Sequence, residues 1–231
     1  MSGKEKGLSL VSKVRRMERP YIIINCAASA DGKIALPDKR QLRISSEEDF
    51  IRVQNLREKC DAVLVGIGTI LTDDPKLNVK YDSKRQPAKV VLDRYFKTPP
   101  NAKIFEGGSK VYIMVGPDVE REIRKDNLEL IRCKLDENGL IDLEFALKEL
   151  KMRGINSLLV EGGGTVIWNF LKKRLFDEFY VYIAPIVIGG ISTPTIADGE
   201  GVRREEEIIM LKIDKIEKVG EGILIKYLPG L

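Results

Sequence analysis

Short, strongly apolar runs separated by charged stretches set the pattern of this chain. Residues 21–27, 62–65, 89–92, 110–115, 128–133 and 157–160 read as buried strands. The segments between them carry helix punctuation. Ser45 or Ser46, followed by Glu47, Glu48 and Asp49, marks a helix start with an acidic first turn, and that helix runs to about Lys59. A second helix is predicted over about 142–153, closed by Gly154 as a C-cap. A third, 165–173, opens directly after a run of glycines. The pattern then changes. Residues 178–188, 208–215 and 223–227 read as strands with no long helix between them, and Gly220-Glu221-Gly222 is one of the short loops. Strand–helix alternation predicts an α/β fold: a mixed, mostly parallel central sheet flanked by helices, with antiparallel strands added at the C-terminal end. Residues 1–19 are basic and weakly patterned and read as a flexible or short helical extension. Residues 20–231 read as one domain.

Composition narrows the function classes. The chain has 231 residues, 43% of them hydrophobic, enough for a substantial core. Its 39 basic and 35 acidic residues nearly cancel, and their signs alternate. Nucleic-acid binding is therefore disfavoured, and a mildly basic cleft for a phosphorylated small molecule fits better. No stretch of about 18 apolar residues occurs, and the first residues lack a signal-peptide core, so neither a membrane span nor export is expected. Cys26, Cys60 and Cys133 are widely spaced with no C-x-x-C, which points to reduced core thiols in a cytoplasmic protein and to no metal site. There is no histidine. That excludes Ser-His-Asp and Cys-His catalysis and His-ligated zinc chemistry, and leaves Asp, Glu, Lys, Tyr, Cys or a cofactor to carry any reaction.

The candidate chemistry sits where apolar runs end, the place where open α/β sheets build ligand sites. Glu161-Gly162-Gly163-Gly164-Thr165 follows a strand and opens a helix. Its glycines allow close backbone approach, and the helix N-terminus offers N–H groups to a pyrophosphate; the alternative is a tight structural turn. It is not G-x-G-x-x-G, which disfavours a standard Rossmann domain. Glu161 reads as a substrate or proton-handling carboxylate, or as an ion-pair partner. Lys33, after Asp31-Gly32, is either an exposed lysine or an anion-steering and proton-donating one. Thr69 and Asp73 are candidate cofactor contacts, although Asp73-Asp74-Pro75 alone also reads as a turn. Arg57 and Lys80 are candidate phosphate partners. Asp93-Arg94 ends a strand, and a cation there suits a 2′-phosphate.

Taken together, S-x-D-G-K-I-A (29–35), V-G-x-G-T-x-x-x-D-D-P-x-L (65–77), V-x-D (91–93) and E-G-G (161–163) are specific, and Tyr182-Ile183-Ala184-Pro185 and Ala197-Asp198-Gly199-Glu200-Gly201 add to them. From about Pro20 to Tyr227 the chain resembles the reductase family of riboflavin biosynthesis, most closely its stand-alone archaeal and fungal type. The same domain forms the C-terminal half of the bacterial bifunctional deaminase-reductase. The resemblance implies a dihydrofolate-reductase-like fold, a homodimer and NADPH, with NADH left open. It implies reduction of the ribosylamino group of 2,5-diamino-6-ribosylamino-4(3H)-pyrimidinone 5′-phosphate to a ribitylamino group, with hydride going to ribose C1′. By the same resemblance Lys33 and Glu161 lie nearest the chemistry. Thr69, Asp73, Asp93, Arg94, Gly162, Gly163, Gly164 and Thr165 hold the dinucleotide, with Ala27 and Arg43 near it. Gln41, Arg57, Leu77 and Lys80 face the ribose phosphate and pyrimidine, with Glu161. Three positions depart from relatives: Arg43 replaces an aromatic residue of some, Lys80 the arginine of bacterial ones, and Arg94 a small polar residue of many. Two other readings stay open, a dihydrofolate reductase and a non-catalytic nucleotide-binding protein on the same fold.

Overall fold

The structure, a computed structural model, describes residues 18–38, 42–81, 83 and 85–230. Among these described residues nine strands form one sheet: β1 (Tyr21–Ser29), β2 (Ala62–Gly66), β3 (Ala88–Leu92), β4 (Val111–Val115), β5 (Leu128–Arg132), β6 (Ser157–Val160), β7 (Glu178–Ala184), β8 (Leu211–Val219) and β9 (Gly222–Pro229). Their order is β5-β4-β3-β2-β6-β1-β7-β9-β8. All pairings from β5 to β7 are parallel, and β9 pairs antiparallel with both β7 and β8. This is the dihydrofolate-reductase-like arrangement, parallel except for the C-terminal hairpin. The helices are α1 (Glu47–Lys59), α2 (Ile67–Asp73), α3 (Leu143–Met152) and α4 (Gly164–Lys172).

β2 and β4 are apolar and buried at every position because both faces are covered. Leu64, Val90, Met114, Leu158 and Val160 point into one core with Leu147 and Leu150 of α3 and Ile167 and Phe170 of α4. Val63, Val65, Val91, Ile113 and Leu159 point into the other with Ile70 of α2 and Phe96. At about 1.5–3 kcal/mol per fully buried aliphatic side chain, these two layers fix strand register. All three cysteines are buried free thiols, pushed up to about 12 (Cys26, Cys133) and about 11 (Cys60) by burial.

Local chemistry accounts for the ends of the elements. Ser46 caps α1 by accepting from Asp49 N, and Asp142 caps α3 by accepting from Glu144 N and Phe145 N. Gly154 takes φ 84 after α3. Three expectations move. The segment 66–75, for which no helix was predicted, contains α2. The strand expected over 178–188 ends at Ala184, because Pro185 has no N–H to continue the ladder. The strand expected over 208–215 is β8, shifted to Leu211–Val219 behind a 3-10 turn at Glu205–Glu207. Of the expected extension, residues 1–17 lie outside the described residues. Arg19 belongs to the domain: its guanidinium holds Asp177 at 2.6 and 3.1 Å, and Asp177 also accepts from Ile22 N at 2.8 Å. Among the described residues no helix is long and apolar enough to cross a membrane, and no cluster of potential metal ligands occurs.

Candidate active site

The carboxyl ends of β1, β2, β3 and β6 open on one cleft of about 1720 Å³. From β1 to β3 it crosses three inter-strand gaps, about 14 Å, room for an extended dinucleotide.

The middle of the cleft is glycine-built. Gly162 sits at φ 107, the Gly162–Gly163 peptide is cis, and Gly66 N donates to Gly162 O at 2.9 Å. Gly163 then begins α4 with no side-chain cap, so the first N–H groups of that helix are left for a ligand. The glycines are not equivalent. A Cβ at Gly164 would come within 2.5 Å of Thr195 O, and one at Gly66 within 2.7 Å of Val166 Cγ2. Packing requires those two. A Cβ at Gly163 would meet nothing nearer than Thr69 Oγ1 at 3.8 Å, and one at Gly68, inside α2, meets nothing within 4 Å. Both line the cleft. No contact within the protein needs glycine at either position.

At one end Arg57 of α1 and Glu161 close on each other. Nε reaches Oε1 at 2.8 Å, Nη2 reaches Oε2 at 2.7 Å, and Nη1 donates to Asn78 O at 3.1 Å. The side chains are only 15% and 11% exposed. Burial works against the Arg57 charge, but Glu161 more than offsets it and holds the guanidinium above its ordinary range. Of the two readings of Glu161, the ion-pair one is realised, with Arg57 as its partner, whereas Arg57 was expected to face the substrate phosphate. Instead three of the five Arg57 donors are committed inside the protein, and the pair faces the cleft as a unit. The irregular segment following α2 runs past it. Gln54 Oε1 accepts from Lys80 N at 2.9 Å, and Gln86 Oε1 accepts from Val79 N at 2.8 Å. Leu77 is buried at φ 53, a left-handed conformation unusual for leucine, and lines the cleft. Arg43 and Lys80 also line it, their cationic groups 5.4 and 5.0 Å from the Phe50 ring centre. Arg43 additionally pairs with Glu47. Ala27, at the end of β1, and Thr69 and Thr165 complete this lining.

At the other end stand Asp73 and Arg94. Asp73 closes α2 with Oδ1 buried and unpartnered, and burial raises its carboxyl above the ordinary range. Arg94 lines the cleft with its Nε buried and unpartnered. Asp93 is a correction. Its carboxylate is buried and accepts from Lys97 N (2.8 Å), Thr98 N (2.7 Å) and Thr98 Oγ1 (2.7 Å), so it builds the turn after β3 rather than the cofactor site. Lys33 stands beside the cleft rather than among its lining residues. It bridges to Thr195, its ammonium reaches Thr193 O at 3.4 Å, and its neighbours Ile34 and Ala35 line the cleft. Gln41 lies outside the described residues.

Gln54, Phe50 and Asn78 were missed. Phe50, Gln54 and Arg57 follow i, i+4, i+7 spacing on α1, so one face of that helix was legible as a cleft wall. Asn78 gave no such signal. The far wall of Leu92, Leu140, Ile141 and Val166 was missed as well.

A dinucleotide fits this set of polar groups. Among the described residues, Asp73 Oδ1, Asn78 Oδ1 and Arg94 Nε are buried polar atoms without partners, and all three residues line this cleft. Such groups cost about 1–3 kcal/mol each until a ligand or water pairs them.

The family described as RibD C-terminal domain matches residues 20–225. The chain is 37% identical over 217 residues to the 2,5-diamino-6-ribosylamino-4(3H)-pyrimidinone 5′-phosphate reductase of Archaeoglobus fulgidus, covering 90% of this chain and 97% of that protein. A like-named reductase of Methanothermobacter thermautotrophicus is 37% identical over 218 residues, with 90% and 98% coverage. Among solved structures, a diaminohydroxyphosphoribosylaminopyrimidine deaminase/5-amino-6-(5-phosphoribosylamino)uracil reductase of Thermotoga maritima superimposes with a TM-score of 0.77 at 26% identity, over 92% of this chain and 57% of that one. The chain thus spans little more than half of that larger protein. The riboflavin biosynthesis reductase Rib7 of Saccharomyces cerevisiae shares the fold, with a TM-score of 0.70 at 19% identity over 92% and 91%. With a matched region that covers nearly the whole chain and near full-length relatives above 30% identity, this protein belongs to the RibD C-terminal domain family, the reductases of riboflavin biosynthesis.

Proposed function

We propose that this protein uses NADPH to reduce the ribosylamino side chain of 2,5-diamino-6-ribosylamino-4(3H)-pyrimidinone 5′-phosphate to the ribitylamino form. The reading rests on one observation above the others: a glycine-lined helix N-terminus at the centre of a cleft whose ends each hold an arginine–carboxylate pair. The cofactor supplies a hydride, taken up at ribose C1′. What remains for the chain is binding, orientation and one proton. The first N–H groups of α4 take the diphosphate, with Gly163 leaving room for it. Thr69, Asp73 and Thr165 line its path, and Arg94 lies toward the adenosine end. Arg57 and Glu161 fix the floor of the pyrimidine end. Arg57 retains two donors for the substrate, and Lys80 and Arg43 supply the charge for its phosphate. Lys33 is the proposed proton donor. Its hold on Thr193 O is long and readily given up. Lys33→Ala is expected to lower kcat with NADPH affinity intact; full turnover would remove Lys33 from the reaction. By likeness to the family the protein acts as a homodimer in the cytoplasm.

The test is consumption of reduced nicotinamide with the pyrimidine ribosylamine phosphate beside a dihydrofolate control. Oxidation with the former alone is expected. Oxidation with dihydrofolate alone would assign a different substrate to the cleft. Binding of NADPH with no turnover of either would leave a nucleotide-binding protein.

A further inference from the structure

Arg94 and Asp118 stand just beyond neighbouring strands. β3 and β4 run parallel with Leu92 opposite Met114, and Gly116 N donates to Arg94 O at 3.0 Å, so the two loops meet at the end of the cleft away from Glu161. The Arg94 guanidinium packs over Gly116, where any Cβ would overlap Nη1 and Cζ, and its Cζ lies 4.7 Å from the Tyr95 ring centre. Asp118 takes it end-on, with Nη1 at 2.6 Å from Oδ1 and Nη2 donating to Oδ2 at 3.1 Å. The Arg94 side chain is 16% exposed, whereas that of Asp118 is 64% exposed. Nε faces no partner at all.

We propose that the Arg94–Asp118 pair sets the choice between a 2′-phosphate and a 2′-hydroxyl on the adenosine ribose, with Asp118 the specificity-determining residue. The inference rests on the reading of the cleft as a dinucleotide site. An arginine at this point of the sheet accepts a 2′-phosphate, and a carboxylate accepts ribose hydroxyls and repels the phosphate dianion. Here both are present and spent on each other. A 2′-phosphate must share or displace Asp118 to reach Nη1 and Nη2, while a 2′-hydroxyl can donate to Asp118 with the pair intact. Asp118 therefore lowers the preference for NADPH. Because its carboxylate is exposed, Asp118 can leave at little desolvation cost, and an incoming 2′-phosphate keeps the shielded Arg94 charge paired. Gly116 holds the arginine in reach, and Lys97, 5.5 Å from the centre of the same Tyr95 ring, adds positive charge nearby.

The experiment is titration of the full-length protein with NADPH and with NADH, followed by nicotinamide fluorescence, for wild type, Asp118→Asn and Arg94→Gln. Freeing one charged hydrogen-bonding group is expected to raise the NADPH-to-NADH affinity ratio of Asp118→Asn roughly tenfold or more over wild type. Arg94→Gln should drive the ratio below that of wild type, chiefly through weaker NADPH binding. Asp118 is exposed, so Asp118→Asn should fold normally, and an unchanged melting temperature would verify that. An unchanged ratio in Asp118→Asn, with both cofactors still bound, overturns this inference and leaves the dinucleotide site standing. If wild type binds neither cofactor, both fall.

Discussion

The cleft has the same pair of groups at each end, and the two pairs are built for different work. Arg57–Glu161 is buried on both sides, uses both carboxylate oxygens and ties α1 to the end of β6. Arg94–Asp118 has a comparably shielded arginine but a carboxylate that stands largely in water. Coulomb attraction is similar in kind at both ends; desolvation is not. Where both charges are buried, neither can leave without stranding the other. Where one is solvated, the pair can be exchanged for a ligand. The first end is a fixed floor, the second an adjustable contact.

Breaking the buried pair should have the largest effect. Arg57→Met leaves Glu161 buried and unpaired and is expected to cost about 3–5 kcal/mol of stability, read from denaturant unfolding. A loss below about 1 kcal/mol would mean that the floor is not fixed. Next comes the glycine between the two ends. Gly163→Ala should leave stability within about 1 kcal/mol while weakening NADPH binding roughly tenfold or more, because its methyl group enters the ligand's space rather than the protein's. Equal binding would show that the diphosphate lies elsewhere. Gly68→Ala should move the other way on stability, gaining about 0.5–1 kcal/mol as a helix-interior glycine is replaced without a clash, visible as a higher unfolding midpoint.

The smallest effect concerns Asp31, an exposed carboxylate that accepts from Ser29 Oγ and from the backbone N–H groups of Ile188 and Gly189. The Ser29 hydroxyl, then the backbone donors, bring it down to about 2 from its ordinary 3.8. Its folded value is depressed, so its contribution to stability is present above the unfolded value and fades as pH falls from near 4 through about 2. The difference between wild type and Asp31→Asn should shrink over that window and be constant at neutral pH. A difference that does not change with acid would assign the effect of Asp31 to shape rather than charge.

The sheet was legible because strands such as β2 and β4 bury both faces and so appear as unbroken apolar runs. Helix α2 was not: it has no side-chain cap, no acid in its first turn, and Gly68 inside it. It is held by packing of Ile70 against the sheet, which no local signal reports. In the cleft, Gly163, Gly164, Thr69, Asp73 and Arg94 were singled out in the motifs that follow strands and do line it, whereas Gly162 is not among the lining residues. An ion pair was one of the two readings of Glu161, but its partner was not visible, because Arg57 lies 104 residues away and taken alone reads as aimed at a phosphate. Asp93 misled for the same reason: its partners, Lys97 N and Thr98, belong to the turn it builds. Lys33 sits in the expected loop, yet its side chain turns to a carbonyl that only the fold brings near.

The most direct test is a crystal structure of the protein with NADPH bound. This account places the diphosphate on the first N–H groups of α4 beside Gly163, the adenosine ribose at Arg94, and the nicotinamide toward Arg57 and Glu161. A cofactor lying outside this cleft, or reversed so that the adenosine ribose meets Glu161, would contradict it.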